Sequence, residues 1–161
     1  MKTLKFNVVA LLMVIGLSIT SCNSDDDNPG LQLPDTFISF TIDGTDYNFI
    51  NIATAQSLVI TLNGNNGADF LDPGDTQISL WLPIGVENGT FDVEDTIDAE
   101  YQVSFTSDPL GFDFDFADSG SITVTQTAGE YLEGTFTTTI TNGDNDIITL
   151  ENGAFKALTI D

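Results

Sequence analysis

The stretch ISFTIDGTDYNF, residues 38–49, constrains the fold more than any other part of the chain. Apolar side chains alternate with hydroxyl side chains over Ile38–Ile42, an Asp-Gly pair follows, and Tyr47 and Phe49 resume the alternation. A period of two places every second side chain on the same face of a strand. Asp-Gly supplies the positive φ angles that a tight hairpin turn requires. This segment therefore predicts a β-hairpin.

The same pattern continues to the C-terminus. Runs such as SLVITLN, ISLWLP, YQVSFT, SITVTQ and GTFTTTITN are rich in β-branched and aromatic residues, which favour strands. Asn-Gly pairs at 63–64, 88–89, 142–143 and 152–153 are predicted turns, and no long segment has apolar residues at helical spacing. We therefore predict an all-β antiparallel domain of roughly nine to eleven short strands, a β-sandwich with a closed β-barrel as the alternative. The residues predicted to face its core are Phe40, Phe49, Leu58, Ile60, Leu80, Leu82, Tyr101, Val103, Phe105, Ile122, Val124, Phe136 and Ile140.

The charge balance excludes several classes of function. After Cys22 the chain has 25 acidic residues and one basic residue, Lys156, which gives a net charge of −24. Nucleic-acid binding depends on Lys and Arg that neutralise phosphates, so this class is excluded. The chain has no histidine, and its one cysteine is Cys22. Because imidazole bases and the usual zinc ligands are missing, we predict that the domain is not an enzyme.

The N-terminus has the pattern of a secretory signal peptide, residues 1–21. Lys2 and Lys5 precede the apolar stretch Phe6–Leu17, and small residues follow it. The apolar stretch is shorter than the roughly 20 residues that a transmembrane helix needs. Ile19-Thr20-Ser21-Cys22 resembles the lipobox of bacterial lipoproteins. That resemblance implies an acylated Cys22 that anchors the protein to a membrane; the alternative is an ordinary signal peptide with an incidental cysteine.

Residues 22–35 are predicted to be an acidic, disordered tether, because their like charges repel and they have little apolar surface to bury. Ser24 and the aspartates Asp25, Asp26 and Asp27 also resemble the export signal of Bacteroidota-type lipoproteins. The resemblance implies an outer-membrane location, with the protein facing the cell exterior.

Residues 36–161 form the single predicted β domain. The stretch SGSITVTQTAGEYLEGTFTTTITNGDNDIITLENGAFKA, together with FISFTIDGTDYNF, resembles a family of uncharacterised all-β Bacteroidota lipoproteins. The resemblance implies location and fold, and it assigns no catalytic or binding residues.

Two groups of aspartates are candidate Ca²⁺ ligands, since Ca²⁺ prefers carboxylate and carbonyl oxygens. In FDFDFADSG the three phenylalanines are predicted to face one way and Asp113 and Asp115 the other, with Asp118 in the following turn. The second group, in the turn-rich loop of residues 63–75, is Asp69, Asp72 and Asp75. The alternative is that all of these carboxylates are simply solvated.

Trp81 is the candidate ligand-binding residue. The alternation of ISLWLPI directs Ile78, Leu80, Leu82 and Ile84 to one face and the tryptophan to the other. An outward tryptophan can stack on a sugar ring or contact a partner protein; alternatively, a crossing loop covers it. Lys156 is predicted to be a strand residue that pairs with nearby carboxylates.

The sequence supports a non-enzymatic surface module that binds an extracellular glycan or protein. One alternative is a hydrolase of extracellular polysaccharide that uses carboxylates alone, which requires two acids in one cleft. The other is a structural subunit of an envelope complex, which requires a large exposed apolar patch.

Overall fold

The computed structural model describes residues 35–50, 52–69, 71–96 and 99–160. The predicted signal peptide, Cys22 and the predicted export signal at 24–27 lie outside these residues. Within them the one helical segment is a three-residue 3₁₀ turn, Asp108–Leu110, so no helix is long and apolar enough to cross a membrane. The strands are β1 (Phe37–Ile42), β2 (Thr45–Phe49), β3 (Ile52–Gln56), β4 (Val59–Asn65), β5 (Thr76–Pro83), β6 (Gly89–Glu94), β7 (Gln102–Ser107), β8 (Phe112–Gln126), β9 (Tyr131–Thr141) and β10 (Ile147–Leu158).

The strands form one antiparallel sheet in the order β2-β1-β10-β9-β8-β7-β5-β4-β3, with β6 paired to β8. The end strands β2 and β3 are consecutive in sequence, and Gly64 of β4 approaches Phe49 of β2 closely: a Cβ at Gly64 would lie 3.0 Å from the Phe49 ring. The sheet therefore curls back on itself into a nearly closed barrel. This confirms the all-β antiparallel prediction, and the curled single sheet corresponds to the barrel alternative rather than the sandwich.

The first hairpin forms as its sequence predicts. Asp43 and Gly44 adopt φ angles of 49° and 77°, and β1 pairs with β2 on either side of them. Other Asn-Gly pairs behave differently: Asn63-Gly64 lies inside β4 and Asn152-Gly153 inside β10. At Gly153 the ring of Phe136 packs against the backbone where a Cβ would otherwise lie, so a glycine is required there for close packing and not for a turn.

The long strand β8 joins the two halves of the sheet. Its first residues pair with β7 and its later residues with β6, so β6 and β7 follow one another along one edge of β8. Gln102 is buried at this junction, and its Nε2 donates hydrogen bonds to the carbonyl oxygens of Glu94 (2.6 Å) and Ala117 (3.4 Å). Its Oε1 accepts a hydrogen bond from the Val103 N–H. A buried amide thus joins three strands where their backbone pairing changes.

The inner face of the barrel is the hydrophobic core. Two of the residues predicted to face the core are not fully buried. Ile60 is only partly buried, and Leu58 is 90% exposed in the turn between β3 and β4. The run SLVITLN predicts a strand that includes Leu58, but β3 ends at Gln56 and β4 begins at Val59, so the hairpin turns at Leu58. The predicted core residues that are buried are Phe40, Phe49, Leu80, Leu82, Tyr101, Val103, Phe105, Ile122, Val124, Phe136 and Ile140.

Candidate functional site

β5 places Trp81 on the outer face of the sheet. Ile78, Leu80 and Leu82 alternate with it and are buried in the core, whereas Trp81 is partly exposed on the opposite side. Ile84 lies beyond the end of the strand and is exposed, contrary to the prediction that it faces inward. The outward orientation predicted for Trp81 is confirmed.

The strand FDFDF does not alternate as predicted. Phe112 is buried and packs against Phe105 in the core, but Phe114 is 51% exposed and Phe116 lies on the outer face near Trp81. The cause is a β-bulge: the β7–β8 register pairs Ser107 with Phe112 and Phe105 with Asp115, which leaves one extra residue in β8. The prediction that all three phenylalanines face one way is wrong.

Phe114 adopts the left-handed backbone conformation, with φ of 57°. This conformation is unusual for a bulky side chain because the Cβ crowds the following carbonyl. Two hydrogen bonds hold the bulge. The Phe114 N–H donates to Thr106 Oγ1 (3.1 Å), and the Asp113 N–H donates to Asp115 Oδ2 (2.9 Å). Strained backbone of this kind concentrates at functional sites, where the surrounding structure maintains it.

Together these strands build an aromatic cluster of Trp81, Phe114 and Phe116. The Trp81 and Phe116 ring centroids are 5.4 Å apart at 88°, and the Phe114 and Phe116 centroids are 5.2 Å apart at 74°. Phe114 and Trp81 are 6.4 Å apart at 47°. These are edge-to-face and tilted contacts of the kind aromatic pairs prefer. The Trp81 Nε1 is buried and has no hydrogen-bond partner among the described residues.

The cluster places an apolar ring beside polar groups on the outer face of the sheet. The half-exposed Phe114 ring offers an apolar face, and the exposed Asp113 beside it offers hydrogen-bond acceptors. Sequence analysis identified Trp81 but missed its two phenylalanine partners. Only the bulge turns Phe114 and Phe116 outward, and no sequence pattern indicated a left-handed phenylalanine.

The first aspartate group is spread along β8. The sequence predicts that Asp118 lies in a turn, but it lies within β8. It occupies a second bulge of that strand, where its Oδ2 accepts a hydrogen bond from Thr141 Oγ1 (2.6 Å). Asp113 is exposed, and the carboxylate of Asp115 is already bound to the Asp113 backbone.

The second aspartate group stabilises its own loop. Asp69 Oδ1 accepts hydrogen bonds from the N–H groups of Leu71 (2.7 Å) and Asp72 (3.0 Å). Asp75 Oδ1 accepts from Asn66 Nδ2 (2.6 Å) and Thr76 Oγ1 (3.0 Å), and these bonds lower the pKa of the Asp75 carboxyl. In the parts of the chain that the structure describes, no three acidic side chains are arranged as metal ligands. Ca²⁺ binding stays a prediction.

Three carboxylates of the described residues line a separate depression of about 280 Å³. Asp92 and Glu94 project from β6, Glu100 precedes β7, and all three are exposed. Beside them the Tyr101 ring stacks on Phe91 with centroids 4.1 Å apart. Burial, with the charges of Glu100 and Glu87, raises the pKa of the Tyr101 hydroxyl above its ordinary value.

Lys156 forms the ion pairs that its sequence context predicted. Its Nζ lies 3.3 Å from Asp35 Oδ2 and 3.7 Å from Glu133 Oε1, and it lies 4.3 Å from the centroid of the Tyr131 ring. The hydrogen bond to Asp35, with the charges around it, raises the pKa of the Lys156 amine. Lys156 is therefore charged at neutral pH, whereas a catalytic amine generally needs a lowered pKa.

Comparison of the chain with protein-family models, curated proteins and solved structures gives no match.

Proposed function

We propose that the β domain is a non-enzymatic binding module for a neutral extracellular glycan. The observation that carries the proposal is the outward aromatic cluster, in which a bulge holds the half-exposed Phe114 next to Trp81. Sugar rings present apolar C–H faces that pack on aromatic side chains, and their hydroxyls donate to carboxylates such as Asp113. A ligand hydroxyl that reached the Trp81 Nε1 would also satisfy a buried donor that lacks a partner in the described residues.

The charge of the domain favours a neutral ligand. A net charge of −24 after Cys22 repels polyanions, and close to the cluster Asp113 and Asp115 add two negative charges. Acidic polysaccharides are therefore poor ligands. A neutral glycan is not repelled by this charge, and its hydroxyl groups can still donate hydrogen bonds to the carboxylates.

The proposed location follows from the N-terminal sequence. We propose that acylation of Cys22 anchors the protein in the outer membrane and that the acidic segment 22–35 extends the β domain from the cell surface. An acyl anchor with more than one chain holds a protein stably on a membrane. On such a tether, the aromatic cluster would be accessible to glycans outside the cell.

The acidic depression of Asp92, Glu94 and Glu100 is the place where a carboxylate-only hydrolase would have its catalytic pair. A carboxylic general acid is usually created by burial in an apolar site. These three groups are exposed, so this arrangement supports the hydrolase less well than the aromatic cluster supports binding. A structural subunit would instead use exposed apolar side chains, which in the described residues include Leu71 and Ile147.

Trp81 is the only tryptophan in the chain, so its fluorescence reports directly on the cluster. The experiment titrates the protein with dextran, laminarin and galactomannan, with alginate as the polyanion. A saturable fluorescence change with at least one neutral polysaccharide, absent with alginate, is the expected result. Phe114→Ala should weaken that binding at least tenfold, because it removes the exposed ring.

The matched control is Phe37→Ala, since Phe37 is a partly exposed phenylalanine on β1, three strands away from β8, the strand of Phe114, in the sheet. Equal loss of binding in the two variants would contradict the proposed site. Release of reducing sugar by the wild type, abolished in Glu94→Gln/Glu100→Gln, would replace the binding module with the hydrolase.

A further inference from the structure

A second pocket lies away from the aromatic cluster and has a different chemical character. Its volume is about 380 Å³, and its walls come from β3, the start of β4, the turn after β5, the loop between β8 and β9, the start of β9, and the end of β10 with the two residues after it. This volume is near the lower end of the range for small-molecule sites, roughly 300–1,000 Å³. Six apolar side chains line it: Ile60, Ile84, Val86, Leu132, Leu158 and Ile160.

The lining contains no ionisable side chain. The other lining groups are threonines, glycines and the amide of Gln56. The pocket is therefore uncharged, in a chain with 25 acidic residues. Polar and apolar groups contribute about equally to the accessible wall, and the negative charge of the domain disfavours an anionic occupant.

Several lining side chains are left accessible to solvent. Ile84, Leu158 and Ile160 are 52%, 38% and 42% exposed, so apolar surface remains for an occupant to cover. Hydrogen bonds hold this wall in place without the occupant. The Thr159 N–H donates to the Glu130 carbonyl (3.0 Å), and Thr159 Oγ1 donates to the Gly129 carbonyl (3.0 Å). The backbone there is satisfied internally, and the pocket is preformed.

We propose that this pocket binds an uncharged small molecule with a hydrocarbon body. The pocket's volume of about 380 Å³ is that of a small-molecule site. A hydrocarbon chain of moderate length matches the apolar walls, and a hydroxyl or ester group can hydrogen-bond with Gln56 or Thr54 at the β3 wall. Fatty acids match the walls equally well, but their carboxylate is disfavoured by the charge of the domain.

The test uses the neutral dye N-phenyl-1-naphthylamine, whose fluorescence rises in apolar sites, and its displacement by 1-octanol, 1-decanol and decanoate. We expect saturable dye binding at one site per chain. Each added methylene should tighten alcohol binding about fourfold until the pocket is full. Decanoate should bind at least tenfold more weakly than 1-decanol, and added salt should narrow that difference.

Ile84→Asp and Ile147→Asp form a matched pair of variants. Both residues are exposed isoleucines, and each variant adds one negative charge. They differ in position, because Ile147 is the first residue of β10 and the pocket lies at the other end of that strand. Ile84→Asp should weaken dye binding at least tenfold, and Ile147→Asp should leave it within twofold. Leu158→Ser, which adds no charge, should also weaken it.

Absence of dye binding to the wild type, or equal losses in the two aspartate variants, would overturn the proposal. Tighter binding of decanoate than of 1-decanol would overturn the inferred ligand class. Because Phe114→Ala alters only the aromatic cluster, it should leave dye binding unchanged. The two sites can therefore fail independently.

Discussion

Replacing Phe114 by glycine should give a more stable protein than replacing it by alanine. In most strand positions the order is the reverse, because glycine loses more conformational entropy on folding. Phe114 has φ of 57°, a conformation that glycine adopts freely and alanine does not. Both variants lose the same ring and the same contacts to Trp81 and Phe116, so the comparison isolates the backbone.

The magnitude follows from two opposing terms. Left-handed backbone costs a residue with a Cβ about 1–2 kcal/mol relative to glycine. The greater flexibility of glycine in the unfolded chain offsets about 0.4–1 kcal/mol of this. The glycine variant should therefore be more stable by about 0.5–1 kcal/mol. For a domain of this size that corresponds to about 2–4 °C in Tm.

Urea unfolding followed by circular dichroism measures the difference, with thermal unfolding as a second observation. The control pair is Phe116→Gly and Phe116→Ala: Phe116 lies in the same strand, outside the residues with positive φ, so its glycine variant should be the less stable. If Phe114→Ala were as stable as Phe114→Gly or more so, the bulge geometry and the strain argument would both be wrong.

Other perturbations test the remaining parts of the account. Salt should stabilise the domain because it screens the repulsion among the acidic side chains. At matched ionic strength, Ca²⁺ and Mg²⁺ should therefore raise the Tm equally. A larger increase with Ca²⁺ that disappears in Asp113→Asn/Asp115→Asn would instead establish a specific Ca²⁺ site. Lys156→Met should lower stability at neutral pH. The pKa of Lys156 is higher in the folded protein than its unfolded value of 10.5, so its charge stabilises the folded state fully below pH 10.5. The difference in the free energy of unfolding between the wild type and Lys156→Met should therefore shrink as the pH rises through and above that value. Cys22→Ala should release the protein from membranes, and retention in the outer-membrane fraction after a high-salt wash would contradict lipidation. Alanines at 25–27 should keep the anchor but lower surface exposure, measured by protease sensitivity of intact cells.

The sequence pattern was sufficient for most of the fold. On β5 the strict alternation predicted both the buried face and the outward Trp81, because each residue in a regular strand points opposite to its neighbours. The Asp43-Gly44 turn was predictable for a similar reason, since its two residues must both adopt positive φ. Period and turn chemistry are local properties, and they can be recognised without knowledge of the tertiary structure.

The candidate site was only partly predictable. FDFDF has the same alternation as a regular strand, and nothing in it indicates the extra residue that turns Phe114 and Phe116 toward Trp81. That bulge depends on Thr106 of the neighbouring strand, which accepts the hydrogen bond of the Phe114 N–H. The uncharged pocket could not be predicted either, because its walls come from strands and loops that are far apart in the sequence. Features that depend on long-range pairing require the structure.

The central claim is that a neutral glycan binds at the outward aromatic cluster. The most direct test is the NMR signal of the Trp81 indole N–H, the only indole in the chain, recorded while the neutral polysaccharides are added. We predict that this signal shifts with the ligand concentration in the wild type and in Phe37→Ala, and that it does not move in Phe114→Gly. A polysaccharide that binds the protein while the Trp81 indole signal stays unchanged would contradict the account.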